Sequence, residues 1–156
     1  MKKITAEIKI NYSYDATHSG AHYTFDGVHY CNGGDFAEII TKSVLGFDAC
    51  KDANTSYDKA SDIQEINASV KSSRFTLVNM ALADTFEETV NRYFETVHSN
   101  TWIYAIVIDN IANLYFMDAA EFKTFLYKFS AMNERKVIRG KATSGKMINW
   151  FEGQVA

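Results

Sequence analysis

Residues 102–108 read Trp-Ile-Tyr-Ala-Ile-Val-Ile, an apolar run that no charged residue interrupts. A short run of this kind is typical of a strand that is covered on both faces by other parts of the protein. A second apolar run, residues 113–117, follows after a short polar turn. The two runs predict a hairpin at the centre of a sheet.

Helical patterns stand on either side of this hairpin. Three of them begin with Asp or Thr followed three residues later by Glu, the spacing of a capping box: Asp35 with Glu38, Thr85 with Glu88, and Asp118 with Glu121. Each is followed by apolar residues at helical spacing, and Gly46 is placed to end the first helix. A last, shorter helix is predicted to start at Ser144.

The remaining patterns predict strands. Residues 3–12 alternate apolar and polar side chains, and residues 21–25 and 28–31 flank Asp26-Gly27, which is a strong hairpin signal. Residues 62–77 also have strand composition, with a tight turn near residues 65–67. The order of elements predicts one α/β (α+β) domain over residues 1–156, with a mixed central sheet, flanking helices and an N-terminal β-hairpin extension.

Composition narrows the class of protein. The chain has 156 residues, 47% of them hydrophobic, which suffices for one packed core. No apolar run has the length of a membrane span, and the alternating residues after Met1-Lys2-Lys3 are unlike a signal peptide. Cys31 and Cys50 are more typical of reduced thiols than of a disulfide framework. We therefore expect a cytoplasmic protein without a membrane partner.

The charges are distributed unevenly. The formal net charge is -3, which argues against a surface that is basic all over, as in many nucleic-acid-binding proteins. The C-terminal segment differs from the rest: residues 134–156 hold five basic and two acidic side chains, whereas residues 61–133 hold five basic and nine acidic ones. A basic cluster of this kind favours contact with an anion such as DNA, although an exposed, solvated surface explains it equally well. The C-terminal basic residues are Arg135, Lys136, Arg139, Lys141 and Lys146.

One segment carries most of the chemistry: Ser61-Asp62-Ile63-Gln64-Glu65-Ile66-Asn67-Ala68-Ser69-Val70-Lys71-Ser72-Ser73. A helix with Glu38, then Asp62, then a tight turn into a strand ending in Ser-Val-Lys, resembles the αβββαβ core of the PD-(D/E)XK nuclease superfamily. The pattern is most similar to that of the mismatch-repair nicking endonucleases and related restriction enzymes. The resemblance covers roughly residues 35–117.

The resemblance implies a role for each matching residue. Asp62 takes the place of the first metal ligand, Lys71 that of the catalytic lysine, and Glu38 that of the helix glutamate. Ser69 falls where the family has its second acidic ligand, and a neutral hydroxyl binds Mg²⁺ or Mn²⁺ far more weakly than a carboxylate. Glu65, in the turn, is the candidate replacement. Arg74 and the C-terminal basic residues would then contact DNA.

Each of these residues also has a plain structural interpretation. Glu38 is explained by a capping box, Asp62 by the start of a strand, and Lys71 by a solvated edge. Two further patterns suggest other sites. A zinc site could be formed by His18, His22, His29 and Cys31, but their spacing matches no closed zinc motif. A phosphate loop is suggested by Thr143-Ser144-Gly145-Lys146, which lacks the upstream glycine and the strand-loop-helix setting of a Walker motif. We interpret the former as turn or surface residues and the latter as a helix start that could meet a DNA phosphate.

Two functions remain open from the sequence. The first is a Mg²⁺-dependent DNA endonuclease that hydrolyses phosphodiester bonds. The second is a catalytically inactive nuclease-fold protein of a phage or mobile element, which binds DNA or a protein partner as an inhibitor or accessory factor. Ser69 favours the second function, whereas Asp62 and Lys71 favour the first.

Overall fold

The computed structural model describes residues 1–16, 22–50, 61–72, 75–77, 85–141 and 144–155. Its strands are β1 (Lys2–Glu7), β2 (Tyr12–Asp15), β3 (His22–Phe25), β4 (His29–Asn32), β5 (Ala68–Lys71), β6 (Thr76–Leu77), β7 (Thr101–Ile108), β8 (Ile111–Met117), β9 (Ser130–Met132) and β10 (Ile138–Gly140). Its helices are α1 (Gly33–Leu45), α2 (Phe86–Thr96), α3 (Ala119–Phe129) and α4 (Ser144–Gln154), with a 3₁₀ helix at Gln64–Ile66. No described helix is long and apolar enough to cross a membrane.

The central sheet has the order β1-β8-β7-β5. β7 and β8 form the predicted hairpin, which turns through Asp109 and Asn110, both with positive φ. β1 pairs antiparallel with β8, whereas β5 pairs parallel with β7, so the sheet is mixed as predicted. Among the described strands, β5 lies at the edge of this sheet, and the connection from β5 to β7 contains α2.

Helices cover both faces of this sheet. Residues 102 and 104 of β7 pack with residues of α2, α3 and α4, while residues 103 and 105 pack against the side of α1. This alternation follows from the two-residue period of a strand, and it explains why the run from residue 102 to 105 is buried throughout. The protein is therefore a mixed sheet with flanking helices, and the class predicted from the sequence is confirmed.

Two small antiparallel sheets accompany the central one. β2, β3 and β4 form the first, with the predicted turn at Asp26 and Gly27, and it packs against α1. β6, β10 and β9 form the second, which the sequence did not predict. Between α1 and α2, only β5 of the described strands joins the central sheet, so the αβββαβ order of the nuclease core stays a prediction.

The caps of the helices were predicted in two cases of three. Thr85 caps α2 through its side chain, and Asp118 and Glu121 form the complete capping box of α3. The first helix differs, because Asn32 and not Asp35 is its N-cap. The Asn32 side chain accepts the backbone NH groups of Gly34 and Asp35 at 3.0 and 3.1 Å, so the helix starts three residues earlier than expected. It ends at Gly46 as predicted.

Candidate active site

Glu38 lies in the second turn of α1 and is half-buried. Because Asn32 caps the helix, the capping-box interpretation of Glu38 was wrong. Its neighbour Ala37 packs in a cluster with Ile63 and Val70, which brings this part of the helix to the edge strand β5. The cap at Asn32 therefore sets the position from which Glu38 approaches β5.

Asp62 is not on a strand. Ile63 forms one isolated bridge with Ala68, and the residues between them are taken up by the 3₁₀ helix and by Asn67, whose positive φ completes the reversal. The predicted strand from Asp62 was therefore wrong, although the tight turn was correct. The Asp62 carboxylate instead accepts the backbone NH of Val70 through Oδ2 at 2.7 Å. This hydrogen bond holds the carboxylate beside the outer edge of β5, one residue before Lys71.

Lys71 is the last residue of β5 and pairs with Tyr104 in the sheet register. Lys71 is half-buried as a residue. Its ammonium is deeply buried, and this burial lowers the pKa of Lys71 below its usual value. The carboxylates of Asp62 and Glu38 act in the opposite direction and raise this pKa, but burial outweighs them. Both predicted carboxylates are thus close enough to Lys71 to interact with it, and the solvated-edge interpretation of Lys71 does not hold.

Glu65 does not join these three residues. It is exposed on the 3₁₀ helix. Within the described ranges, no group of three or more His, Cys, Asp or Glu side chains is placed to hold a metal ion, so the set Glu38, Asp62 and Glu65 is not assembled. Glu38 and Asp62 remain, and Mg²⁺ in proteins is usually bound by one or two carboxylates together with several water molecules. Two carboxylates near Lys71 thus remain as candidate ligands, and the Mg²⁺ site stays a prediction.

Ser69 is engaged within the protein. Its side chain is 7% exposed, and its Oγ lies 2.5 Å from Oγ of Ser99. A hydrogen bond also links Ser69 to Tyr93, whose hydroxyl accepts the Trp102 indole NH at 2.9 Å. Burial raises the pKa of Tyr93 to about 12, so this phenol stays protonated near neutral pH. Ser69 is thus part of a buried hydrogen-bond network.

This network borders the cluster around Lys71, because the Asp62 carboxylate also acts on the pKa of Tyr93. The sequence did not identify Tyr93 or Ser99 as site residues. No local sequence pattern identifies them, because they follow from the parallel pairing of β5 with β7, which places the polar groups of Ser69 and Trp102 on the same face of the sheet. Buried polar groups of this kind need partners, and Tyr93 and Ser99 supply them.

Most of the predicted DNA-contacting residues lie on or near the β9–β10 hairpin. Arg135 and Lys136 belong to its turn, where Lys136 has a positive φ, and Arg139 lies on β10. Arg135, Arg139, Lys141 and Lys146 are exposed, whereas Lys136 is half-buried. Arg74 lies outside the described residues. We refer to Arg135, Lys136, Arg139 and Lys141 as the basic hairpin.

The competing patterns do not form sites in the described structure. His22, His29 and Cys31 belong to the β2–β3–β4 sheet and are not part of any metal-binding group among the described residues; His18 lies outside them. Burial raises the pKa of the Cys31 thiol to about 12, which disfavours the thiolate that zinc needs. Cys31 and Cys50 are free thiols. α4 begins at Ser144 as predicted, and Thr143 lies outside the described residues.

No protein-family model matches this chain, and no curated protein or solved structure is significantly similar to it. A function therefore has to be argued from the chain's own residues.

Proposed function

We propose that the chain is a Mg²⁺-dependent DNA endonuclease that hydrolyses phosphodiester bonds at Lys71, Asp62 and Glu38. The observation that carries the proposal is the burial of the Lys71 ammonium next to these two carboxylates. A buried lysine with a lowered pKa is a common feature of catalytic sites. Burying an ammonium group costs free energy, and catalytic sites use the lowered pKa that results from this burial. The resemblance to the PD-(D/E)XK pattern supports the same three residues.

Lys71 would act on the attacking water. A lowered pKa increases the share of neutral amine near neutral pH, and a neutral amine accepts a proton. Its position at the end of β5 is set by the pairing of Lys71 with Tyr104. The strand therefore orients the amine, and the carboxylates beside it limit how far its pKa falls.

Asp62 and Glu38 would hold the metal ion. Oδ2 of Asp62 accepts the NH of Val70, and this hydrogen bond orients the carboxylate. Glu38 approaches from α1, a different element, so the two carboxylates reach Lys71 from separate parts of the fold. When bound, Mg²⁺ supplies charge that stabilises the transition state and lowers the pKa of a bound water.

The basic hairpin would bind the DNA backbone near this cluster. Thr76 of β6 is the register partner of Arg139 in β10. Thr76 follows Lys71 by five residues in the chain, which limits the distance between their Cα atoms to about 18 Å. Phosphate contacts by Arg139 would then position the scissile bond.

A second candidate is a catalytically inactive nuclease-fold protein that binds DNA or a protein partner. It is favoured by Ser69, whose hydroxyl is taken up by Ser99 and Tyr93 and replaces an acidic ligand of the family pattern. A chain of this kind, from a phage or a mobile element, would act as an inhibitor or accessory factor. Loss of the Mg²⁺ site distinguishes it from the first candidate.

The test is cleavage of supercoiled, duplex, nicked and branched DNA with Mg²⁺ or Mn²⁺, together with calorimetric titration of Mn²⁺. We expect cleavage by the wild type, loss of cleavage in Asp62→Asn, Glu38→Gln and Lys71→Met, and weakened Mn²⁺ binding in the two carboxylate variants. Glu65→Gln is the matched control, because Glu65 is an exposed carboxylate on the same segment, and it should remain active. A wild type that neither cleaves nor binds Mn²⁺ would reject the nuclease in favour of the second candidate.

A further inference from the structure

A groove separate from the Lys71 cluster lies between the C-terminal half of α2 and the first turns of α3. Its volume is about 580 Å³, within the range of roughly 300–1,000 Å³ that is usual for small-molecule sites. Ser99, Asn100 and the start of β7 close one end, and Ala119 and Ala120 of α3 form part of the opposite wall. The small alanine side chains keep the groove open on this side.

Aromatic side chains form the inner wall. The rings of Phe94 and Trp102 meet edge to face, with centroids 5.4 Å apart and planes at 68°. Trp102 is only 1% exposed, so its ring is held by the core, and Val97 extends the apolar surface beside it. A rigid wall of this composition favours a flat aromatic ring, which gains contact area without ordering a flexible chain.

The polar groups at the rim are mainly donors. The Lys123 ammonium donates to Oδ1 of Asn91 at 3.3 Å, so the amide of Asn91 has its oxygen occupied and its NH₂ group left as the polar end. The Thr101 hydroxyl donates to Oδ1 of Asn100 at 3.2 Å, so the Asn100 amide also presents its NH₂ group as the polar end. The rim therefore offers two amide NH₂ groups and an ammonium to a ligand that carries acceptors.

The charge of the groove further limits its ligand. Lys123 and Glu95 are both exposed lining residues, and their charges cancel. A ligand with no net charge suits such a site better than a phosphate or a carboxylate does, because neither sign is favoured overall. A flat, uncharged ring with carbonyl or ring-nitrogen acceptors has the chemistry of a nucleobase.

We propose that this groove binds a single nucleobase, which stacks against Phe94 in front of the buried Trp102 ring and is hydrogen-bonded by Asn91, Asn100 and Lys123. The groove is linked to the Lys71 cluster through Ser99, which lines it and also hydrogen-bonds to Ser69 on β5. A base held here would lie against the network behind the proposed catalytic strand. Binding itself does not require cleavage, so the proposal stands or falls independently of the nuclease activity.

Tryptophan fluorescence provides the readout. The chain has two tryptophans, so Trp150→Phe leaves Trp102 as the single indole. Uridine, thymidine, cytidine, adenosine and guanosine are titrated into this variant. Indole, an aromatic probe without acceptors that itself fluoresces, is measured by calorimetry beside uridine. We expect quenching of Trp102 by the nucleosides, with at least tenfold weaker binding of indole.

Substitutions in the groove then test the assignment. Lys123→Ala should weaken nucleoside binding about tenfold, as expected for a hydrogen bond from a charged donor. Lys128→Ala is its matched control, an exposed lysine of the same helix outside the groove, and should leave binding unchanged. Ala120→Trp, which adds an indole and is therefore measured by uridine calorimetry, should fill the groove and abolish binding while the far-ultraviolet circular dichroism stays that of the wild type.

Single-stranded oligothymidylate identifies the source of the base. Binding at least tenfold tighter than that of thymidine assigns the site to a base in a strand, and equal binding assigns it to a free nucleoside; both support the proposal. No quenching by any nucleoside at millimolar concentration overturns it. Indole binding as tight as the nucleosides, or full nucleoside binding by Ala120→Trp, also overturns it.

Discussion

The carboxylate of Asp62 accepts the backbone NH of Val70 at 2.7 Å, so a side chain occupies the outer edge of β5 immediately before Lys71. The same residue thus has a structural and a proposed catalytic role. Substitutions of single residues can separate a structural role of this kind from a proposed functional one.

Asp62→Ala should unfold at lower urea concentration than Asp62→Asn. Alanine leaves the NH of Val70, a residue 9% exposed, without its acceptor, which costs about 1–3 kcal/mol. Asparagine keeps an oxygen at this position and should lose much less stability. Equal unfolding midpoints for the two variants would mean that the hydrogen bond does not stabilise the edge of β5.

Lys71→Met should change the pH dependence of stability. Burial lowers the folded-state pKa of Lys71 below its ordinary value of 10.5 in the unfolded chain, so between these two pKa values the unfolded state binds more protons than the folded state. The free energy of unfolding of the wild type, relative to the variant, should therefore rise as pH increases through the folded-state pKa toward 10.5. Parallel urea titrations of both proteins measure the difference, and a constant difference across this window would contradict the burial of the ammonium.

Ser69→Ala and Ser99→Ala should each destabilise the fold, because either change leaves a buried hydroxyl without its partner 2.5 Å away. The cost of each is about 1–3 kcal/mol. The double variant should cost less than the sum of the two, by about 0.5–3 kcal/mol, as is usual for residues in contact. Strict additivity in denaturant unfolding would show that the two hydroxyls act independently.

Gly140→Ala should destabilise the protein by about 1–3 kcal/mol through overpacking. A Cβ at position 140 would lie 2.6 Å from Cε1 of Phe75, whose ring packs among Tyr104, Phe122 and Phe125 and cannot withdraw easily. Gly145→Ala in α4 is the control, since a Cβ there meets nothing within 4 Å. Its melting temperature should equal or exceed that of the wild type, because alanine favours a helix over glycine.

Arg139→Ala combined with Lys141→Ala should weaken DNA binding and flatten its dependence on salt. Each lost phosphate contact removes about 0.9 from the slope of log K against log salt concentration. Lys9→Ala combined with Lys128→Ala is the charge-matched control, because both lysines are exposed and neither belongs to the basic hairpin. If the two double variants bind alike in filter or anisotropy assays, the basic hairpin is only a solvated surface.

The sequence predicted those parts of the fold whose pattern is local. The hairpin of β7 and β8 follows from its apolar runs, and the capping box of Asp118 and Glu121 follows from spacing alone. Strands β9 and β10 were missed, because each has three residues and forms through pairing with a distant partner, as in the contact of Ile138 with Leu77. The start of α1 was predicted three residues too late, at Asp35, because Asn32 is also a good N-cap residue and tertiary structure selects between the two.

The sequence predicted Asp62, Glu38 and Lys71 as site residues, and their role stays a prediction. Both carboxylates act on the pKa of Lys71, but Asp62 does so from a turn and not from a strand. The partners of Ser69 depend on the parallel register of β5 and β7, which no local pattern encodes. Tyr93 and Ser99 could therefore be found only once the crossover through α2 was known.

The outer edge of β5 also bears on solubility. An exposed strand edge offers unpaired NH and carbonyl groups to another molecule and so promotes aggregation. Here the strand has only four residues. The NH and carbonyl of Ala68 are bonded to Ile63, and the NH of Val70 is bonded to the Asp62 carboxylate. A second chain therefore cannot pair with these groups, and the carboxylate blocks its approach. Removing that carboxylate in search of an inactive enzyme would open the edge, and Asp62→Asn is for this reason a safer choice than Asp62→Ala for work at high protein concentration.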